Sequence, residues 1–417
     1  MRPTVRRRLT VAALFVMTFG IATPLAAFGV FLPVLAEAFG WSRGAISTAL
    51  SINLVLGGLA GFGVGALSDR FGPRVLLVPT VALAGTGFAL VSTVGALWQL
   101  YLFVGVLSGL GMSSFYLLSA TTVTHWFDER RGLALALVLV GFNLGYIGGG
   151  PLAAWLITTA GWRRAYAMLG GGCGLVALFA ALYVRLPRPS EAAALRLPSA
   201  RDHAPERPTG NLHQHGHSAS RRGVTLAEAL ADPRQWCLNF AWLLLGGLAF
   251  MVTVHIVPFA RDQGVSLGGA SLALTAYGMG SVVGRVTAGA LSDRIGTRLT
   301  MRIAFTVQIV SLVTLLWLPS RETLLGSLAA FGAGFAAADT MIAKAIPDVF
   351  GMRAIGAIMG VLTLGWRAGA ALGPVGAGFL YDATGSYAVP FGAAPLVVVA
   401  SWALFAAATS RRRRVPV

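Results

Sequence analysis

The sequence predicts an all-α membrane protein: twelve transmembrane helices in two six-helix bundles. Three observations predict it. Apolar residues make up 56% of the 417-residue chain and charged residues only 11%, with a mean hydropathy of +0.74; soluble domains carry about 25% charged residues. The charges are clustered, so that no Asp, Glu, Lys or Arg occurs from Val75 to His125. Finally, GALSDRFGPR at 65–74 returns 224 positions later as GALSDRIGTR at 289–298, with eight of ten residues identical.

A helix needs about 20 apolar residues to cross a bilayer core of roughly 30 Å. Such runs fall near 11–35, 44–67, 75–94, 98–124, 132–157, 164–185, 236–260, 269–291, 299–318, 323–346, 354–380 and 386–408. The first run follows Arg6–Arg8 and imitates a secretory signal, but with eleven more spans behind it the sequence reads as an uncleaved first helix. Between spans 6 and 7, residues 186–234 are rich in Pro, Ser, His and charge, with too few apolar residues to fold alone. The expected organisation is therefore a bundle over 1–185, a cytoplasmic linker over 186–234 and a second bundle over 235–417. His213, His215 and His217 in the linker are spaced by two in a flexible stretch, a weak metal signal, and no metal or other cofactor is expected. Cys173 and Cys237 fall in or beside spans, where no disulfide is expected.

The net charge of +17 reports topology and not a nucleic-acid partner. Of the 32 Lys and Arg residues, Arg43, Arg163, Arg164, Arg261 and Arg321 fall on the side opposite the termini, and nearly all the others lie on the terminal side. By the positive-inside rule both termini are expected in the cytoplasm.

The repeated string joins spans 2 and 3, then spans 8 and 9. Gly150-Pro151 in span 5 and Gly373-Pro374 in span 11 recur at an offset of 223, so the chain reads as a tandem duplication of a six-helix unit. Asp69 and Asp293 are expected to begin tight turns, with Arg70, Gly72 and Arg74 following the first and Arg294 and Gly296 the second. Gly57, Gly61 and Gly65 mark one helix face for close packing.

Placing the copies in register exposes where the duplication loses its symmetry. Gly61 aligns with Arg285, and through the Gly-Pro pair Leu144 aligns with Arg367. Charges within spans are costly, about 2.5–3.5 kcal/mol at a helix centre, and mark functional candidates. Span 10 adds Asp339 and Lys344, the only lysine in the chain, set roughly 140° apart on a helix. The residues read as an anion site, with Arg285 and Arg367 holding a carboxylate and Asp339 as counter-ion or proton carrier. Guanidinium suits this task because its planar fork makes paired hydrogen bonds. Phe28, Tyr116, Asn143 and His255 are candidate cavity residues, with Ser281 one turn before Arg285. His255 is also a candidate proton carrier, since imidazole titrates near neutrality.

GxLxDRxGxR between spans 2 and 3, echoed between spans 8 and 9, resembles the major facilitator superfamily. THWFDERRGLALALVLVGFNLG (124–145), GRVTAGALSDRIG (284–296) and GPVGAGFLYDATGSY (373–387) are similar to monocarboxylate transporters and bacterial oxalate–formate-type exchangers. The resemblance implies alternating access with substrate at the midplane. It also implies that the repeated loop (Gly65, Asp69, Arg70, Gly72, Arg74, Asp293, Arg294) latches the halves on the cytoplasmic side in the outward-facing state. Arg285 matches the span-8 arginine of those families, Arg367 a span-11 cation that is usually lysine, and Asp339 an acid often found in span 10. Ser281 stands where eukaryotic members often carry aspartate. The expected function is secondary transport of a small organic anion, a monocarboxylate, with a proton or an exchanged anion as coupling partner. The setting is a bacterial inner membrane, with the chain acting as a monomer in the lipid bilayer. Drug or metabolite export is the rival reading. No nucleophile–base pair or metal constellation appears, so an enzyme is not expected.

Overall fold

The computed structural model describes residues 3–127, 131–187, 190–191, 223–317, 320–351 and 353–410. Among them, ten helices are long and apolar enough to cross a membrane. With two further segments they run, in chain order, as α1 (Thr4–Phe39), α2 (Arg43–Phe71), α3 (Pro73–Leu90), α4 (97–126), α5 (Arg131–Ala160), α6 (Trp162–Tyr183), α7 (Pro233–Asp262), α8 (Leu267–Ile295), α9 (Thr297–Trp317), α10 (Arg321–Phe350), α11 (Ile355–Thr384) and α12 (Ala388–Ser410). These are the twelve spans that the hydropathy pattern demands. The two less apolar ones have specific causes. Segment α4 breaks at Met112–Ser114 between the helices Leu97–Gly111 and Phe115–Trp126. Helix α8 is continuous over 29 residues, but Arg285 and its many small and polar residues dilute its apolar character.

The surface is that of a lipid-solvated bundle. Phe179, Val286, Leu396 and Trp317 are 70–80% exposed, and with water excluded every backbone group must be satisfied within its own helix. Helix contact then depends on small residues that let backbones approach. A Cβ added at Gly57 would lie 2.9 Å from the Gly109 carbonyl oxygen of α4, and one at Gly61 would lie 3.3 Å from that of Ser113. In the other half, Gly280 and Gly284 of α8 meet the carbonyls of Ala329 and Ala333 of α10. These packing glycines stand one position before Ser281 and Arg285, the residues that align with Gly57 and Gly61. One residue is a rotation of about 100°, enough to carry Arg285 off the packing face.

The same contacts correct the register between spans 5 and 11. Gly141, Gly145 and Gly149 of α5 pack on α1, against Phe15, Phe19 and Thr23. Gly365, Gly369 and Gly373 of α11 pack on α7, against Asn239, Leu243 and Gly247. The offset is 224, as for the repeated string, and not the 223 given by the Gly-Pro pairs. Arg367 therefore corresponds to Asn143, whereas Leu144 points outward and is 40% exposed.

Both string copies end their helices on a single glycine, Gly72 (φ 81°) and Gly296 (φ 83°). This is backbone that a side chain would strain. The expectation that the aspartates open tight turns is corrected: Asp293 and Arg294, like Asp69 and Arg70, stand in the last helical turn, and the reversal is the glycine itself. The surroundings of Gly65 and the side chain of Asp69 lie outside what is described. Residues 192–222, including His213, His215 and His217, also lie outside the described residues. The end of the segment expected to be a linker is structured. Gly223 bridges to Gly351, and helix Leu226–Ala231 is capped reciprocally by Thr225 and Glu228.

Gly284→Val is expected to break the α8–α10 contact and abolish a monodisperse peak in detergent size-exclusion chromatography. Gly289→Val, where an added side chain meets open space, is expected to leave that peak unchanged.

Candidate functional site

The segments before residue 186 meet those after 223 along three lines. Gly29 of α1 lies against Thr253 and Val254 of α7. Helix α2 runs along α11, where Gly44 and Gly378 bring the two backbones together and Ser51 Oγ donates to the Ala371 carbonyl. Helix α5 runs along α8, where Thr275 Oγ1 donates to the Ile147 carbonyl at 2.6 Å. The second and third lines are equivalents under the repeat, since α8 repeats α2 and α11 repeats α5.

Between these lines is a cavity of about 330 Å3. Segments α4 and α5 supply Phe115, Leu139, Phe142, Asn143 and Tyr146. Helices α7, α8, α10 and α11 supply Ala249, Phe250, Thr253, Tyr277, Gly278, Ser281, Arg285, Phe335, Thr363, Trp366 and Arg367. The structure thus brings together four of the sequence candidates: Asn143, Ser281, Arg285 and Arg367. Asn143 and Arg367 face the cavity from repeat-equivalent positions.

The two arginines differ in their partners. Arg285 Nη2 lies 3.4 Å from Asp339 Oδ2, and Trp242 Nε1 donates to Asp339 Oδ1 at 2.7 Å. Asp339 does not line the cavity; it stands behind Arg285 as its counter-charge, oriented by Trp242. Arg367 has no acidic or hydrogen-bonding partner among the described residues. Its side chain lies over Gly58 of α2, where an added Cβ would sit 3.1 Å from the Arg367 Cδ. The guanidinium reaches across the junction of the halves because α2 carries no side chain there.

Two candidates fall elsewhere. Phe28 is 1% exposed and packs in the apolar core where α1 breaks at Ala27. His255 is fully buried beside Ser47 and away from the cavity. A carbonyl only accepts, so His255 Nε2 donates to the Pro374 oxygen at 2.8 Å and Nδ1 accepts from the Tyr387 hydroxyl at 2.8 Å. Both ring nitrogens are engaged in helix packing. The side chain of Tyr116 lies outside the described residues. Sequence reading missed Tyr146, Tyr277, Trp366 and Trp242. Helical periodicity carried a signal for the first two: Tyr146 is three residues beyond Asn143, and Tyr277 is four before Ser281. Trp242 had none.

On the face away from the termini the halves are fastened. Arg43, at the start of α2, makes paired bonds of 2.8 and 2.7 Å to Asp262 at the end of α7. Its guanidinium lies 3.8 Å from the Tyr381 ring centroid and 5.1 Å from that of Tyr387. Asp382 accepts from the backbone amides of Arg43 and Gly44 at 2.9 and 2.8 Å, a carboxylate on a helix N-terminus. Exposed ion pairs contribute about 0.2–1 kcal/mol and cation–π contacts about 0.5–2 kcal/mol. Such a fastening is strong enough to bias a conformation and weak enough to open. At the terminal face, Lys344 Nζ donates to Asp293 Oδ1 at 2.6 Å and to Ser292 Oγ at 2.8 Å, all within the second half. Among the described residues, no hydrogen bond or ion pair joins either string copy to the opposite half. Arg70 is exposed there.

Twelve spanning helices, closed at one face around a cationic cavity in mid-bundle, define a polytopic membrane transporter. The chain belongs to the Major Facilitator Superfamily, whose family description matches residues 14–267 and 251–417. It is 27% identical over 408 residues to monocarboxylate transporter 13 of Bos taurus, covering 95% of this chain and 89% of that one. It is 26% identical to the uncharacterized MFS-type transporter YhjX of Escherichia coli (81% and 77% covered) and 26% identical to the oxalate:formate antiporter of Oxalobacter formigenes (66% and 60%). Its fold is that of a solved point mutant of the nucleoside transporter NupG, with a TM-score of 0.75, 12% identity, and 96% of this chain and 100% of that one covered.

In a variant lacking Cys173 and Cys237, Ser47→Cys is expected to resist a membrane-impermeant maleimide, because Ser47 is fully buried beneath the fastened face. Adding Arg43→Ala is expected to raise the labelling rate several-fold.

Proposed function

We propose that the protein is a secondary transporter of a small monocarboxylate, coupled to protons, working by alternating access. One observation carries this reading: Arg367, a permanently charged guanidinium without a partner among the described residues, faces a mid-bundle cavity beside Arg285. A cation in that position is costly unless a ligand completes it. A carboxylate matches its charge and its fork. The printed names of the relatives, monocarboxylate transporter 13 and the oxalate:formate antiporter, support the same class.

Asp339 supplies the coupling. While ionised it holds Arg285; when protonated it releases that guanidinium to join Arg367 on the carboxylate. One proton and one monoanion then move together without net charge. The arginine asymmetry supports cytoplasmic termini, which makes the fastened face external and this conformation inward-facing. In the outward-facing state the repeated string, through Asp69, Arg70, Arg74, Asp293 and Arg294, would latch the cytoplasmic side in turn. Its freedom from inter-half bonds among the described residues fits that cycle. The segments before 186 and after 235 are the two moving bodies.

Proteoliposomes are expected to accumulate labelled monocarboxylates when the external medium is acidic relative to the lumen, and Arg367→Gln to reduce uptake to background. Asp339→Asn is expected to retain carboxylate counterflow while losing the response to the pH gradient. Wild-type counterflow insensitive to the gradient would instead identify an anion exchanger. Full uptake by Arg367→Gln would refute the site.

A further inference from the structure

We infer that the preferred substrate is an aromatic monocarboxylate, its carboxylate on Arg367 and its ring against the wall formed by Phe115 and Phe142. The inference rests on the carboxylate reading of the cavity and adds the chemistry of the rest of the ligand. Charge limits the number of carboxylates in the resting site. There Asp339 answers Arg285 at 3.4 Å, and Arg367 is a guanidinium without a partner among the described residues. While Asp339 stays ionised, a dicarboxylate would bring a second anion with no cation left for it, and an unpaired buried charge is heavily penalised.

The wall fixes the body of the ligand. Phe115 and Phe142 stack in parallel with centroids 5.3 Å apart and planes 2° apart, and Tyr146 continues the row 5.2 Å beyond Phe142. Across the cavity, Phe250 and Trp366 meet edge to face at 5.6 Å and 84°. Flat rings gain attraction from such partners beyond the area they bury. A two- or three-carbon acid would use little of the 330 Å3 and leave water against these rings.

The division of labour between the halves gives the ring a mechanical role. Both arginines belong to α8 and α11, whereas the stacked wall belongs to α4 and α5. An acid too short to reach that wall meets the first half only around the Arg367 side chain, which lies over Gly58, and so gains less from how the halves are disposed. A ligand with carboxylate at one end and ring at the other touches both. It therefore has the differential affinity needed to drive closure around it.

The test is competitive uptake by proteoliposomes of the full-length protein, with benzoate and phenylacetate compared with acetate and lactate. The expected result is a KM for the aryl acids at least tenfold below that for the short acids. Phe142→Leu is expected to shrink the KM advantage of aryl acids over short acids about tenfold. Short acids carried as well as or better than aryl acids would overturn the inference and leave the carboxylate reading standing. Transport of no acid of either size would overturn both. The wild-type panel decides the matter even where a variant fails to fold.

Discussion

An arginine without a carboxylate partner among the described residues, held in the middle of a bundle that lies in lipid, is the constraint around which the remaining features arrange themselves. A charged group at that depth costs about 2.5–3.5 kcal/mol on insertion scales, so the surrounding helices must either neutralise it or keep it for a ligand. Arg285 is neutralised by Asp339, which Trp242 orients. Arg367 has no such partner among the described residues, and its stem lies on the bare backbone of Gly58 across the junction of the halves. In the proposed function the pair divides its labour: the ion pair answers a proton, and Arg367, without a partner among the described residues, answers an anion. Aromatic residues line the same cavity, and charges attract more strongly where the dielectric is low.

The second constraint is close packing without a hydrophobic driving force. In lipid, helices associate through backbone approach and a few hydrogen bonds. The glycine rows of α2, α5, α8 and α11 place each helix on its neighbour, and small shifts in those rows decide which side chains turn toward the cavity. Gly280 and Gly284, one position before Ser281 and Arg285, leave the latter free to face inward. Gly141, Gly145 and Gly149 match Gly365, Gly369 and Gly373 and carry Asn143 to the place that Arg367 occupies in the other half. The duplication therefore supplies one polar position from each side of the cavity, charged on one side only.

Much of this was legible in the sequence. The hydropathy pattern locates the twelve spans, and the repeated string sets the register that singles out Arg285. The Gly-Pro pairs misplace the partner of Arg367 by one residue, whereas the packed glycines of α5 and α11 keep the offset of 224. His255 was legible as a titratable group in a span, but its burial against Pro374 and Tyr387 depends on contacts among α2, α7, α11 and the turn before α12 that no local pattern encodes. Phe28 fails for the same reason: an aromatic residue in an apolar run reads alike whether it faces core or cavity. Tyr146 and Tyr277 lie at helical spacing from Asn143 and Ser281 and were within reach. Trp242, which acts through Asp339, was not.

The fastening at one face gives the site its directionality. Arg43, Asp262 and Asp382 join α2, α7 and α11 with contacts each of modest strength, whereas the described bonds of the repeated strings at the other face stay within their own half. A transporter must exchange two such states through differences of a few kcal/mol, and the ligand supplies the bias only if it binds one state better. The proposed function depends on the negative charge of a ligand meeting the Arg367 guanidinium. The direct measurement is the thermal stability of the purified protein with a monocarboxylic acid and with its uncharged amide of the same shape. Ligand binding to the folded state raises the melting temperature. The acid is expected to raise it in wild type and not in Arg367→Gln, and the amide to leave both unchanged. Equal stabilisation by acid and amide would contradict the account.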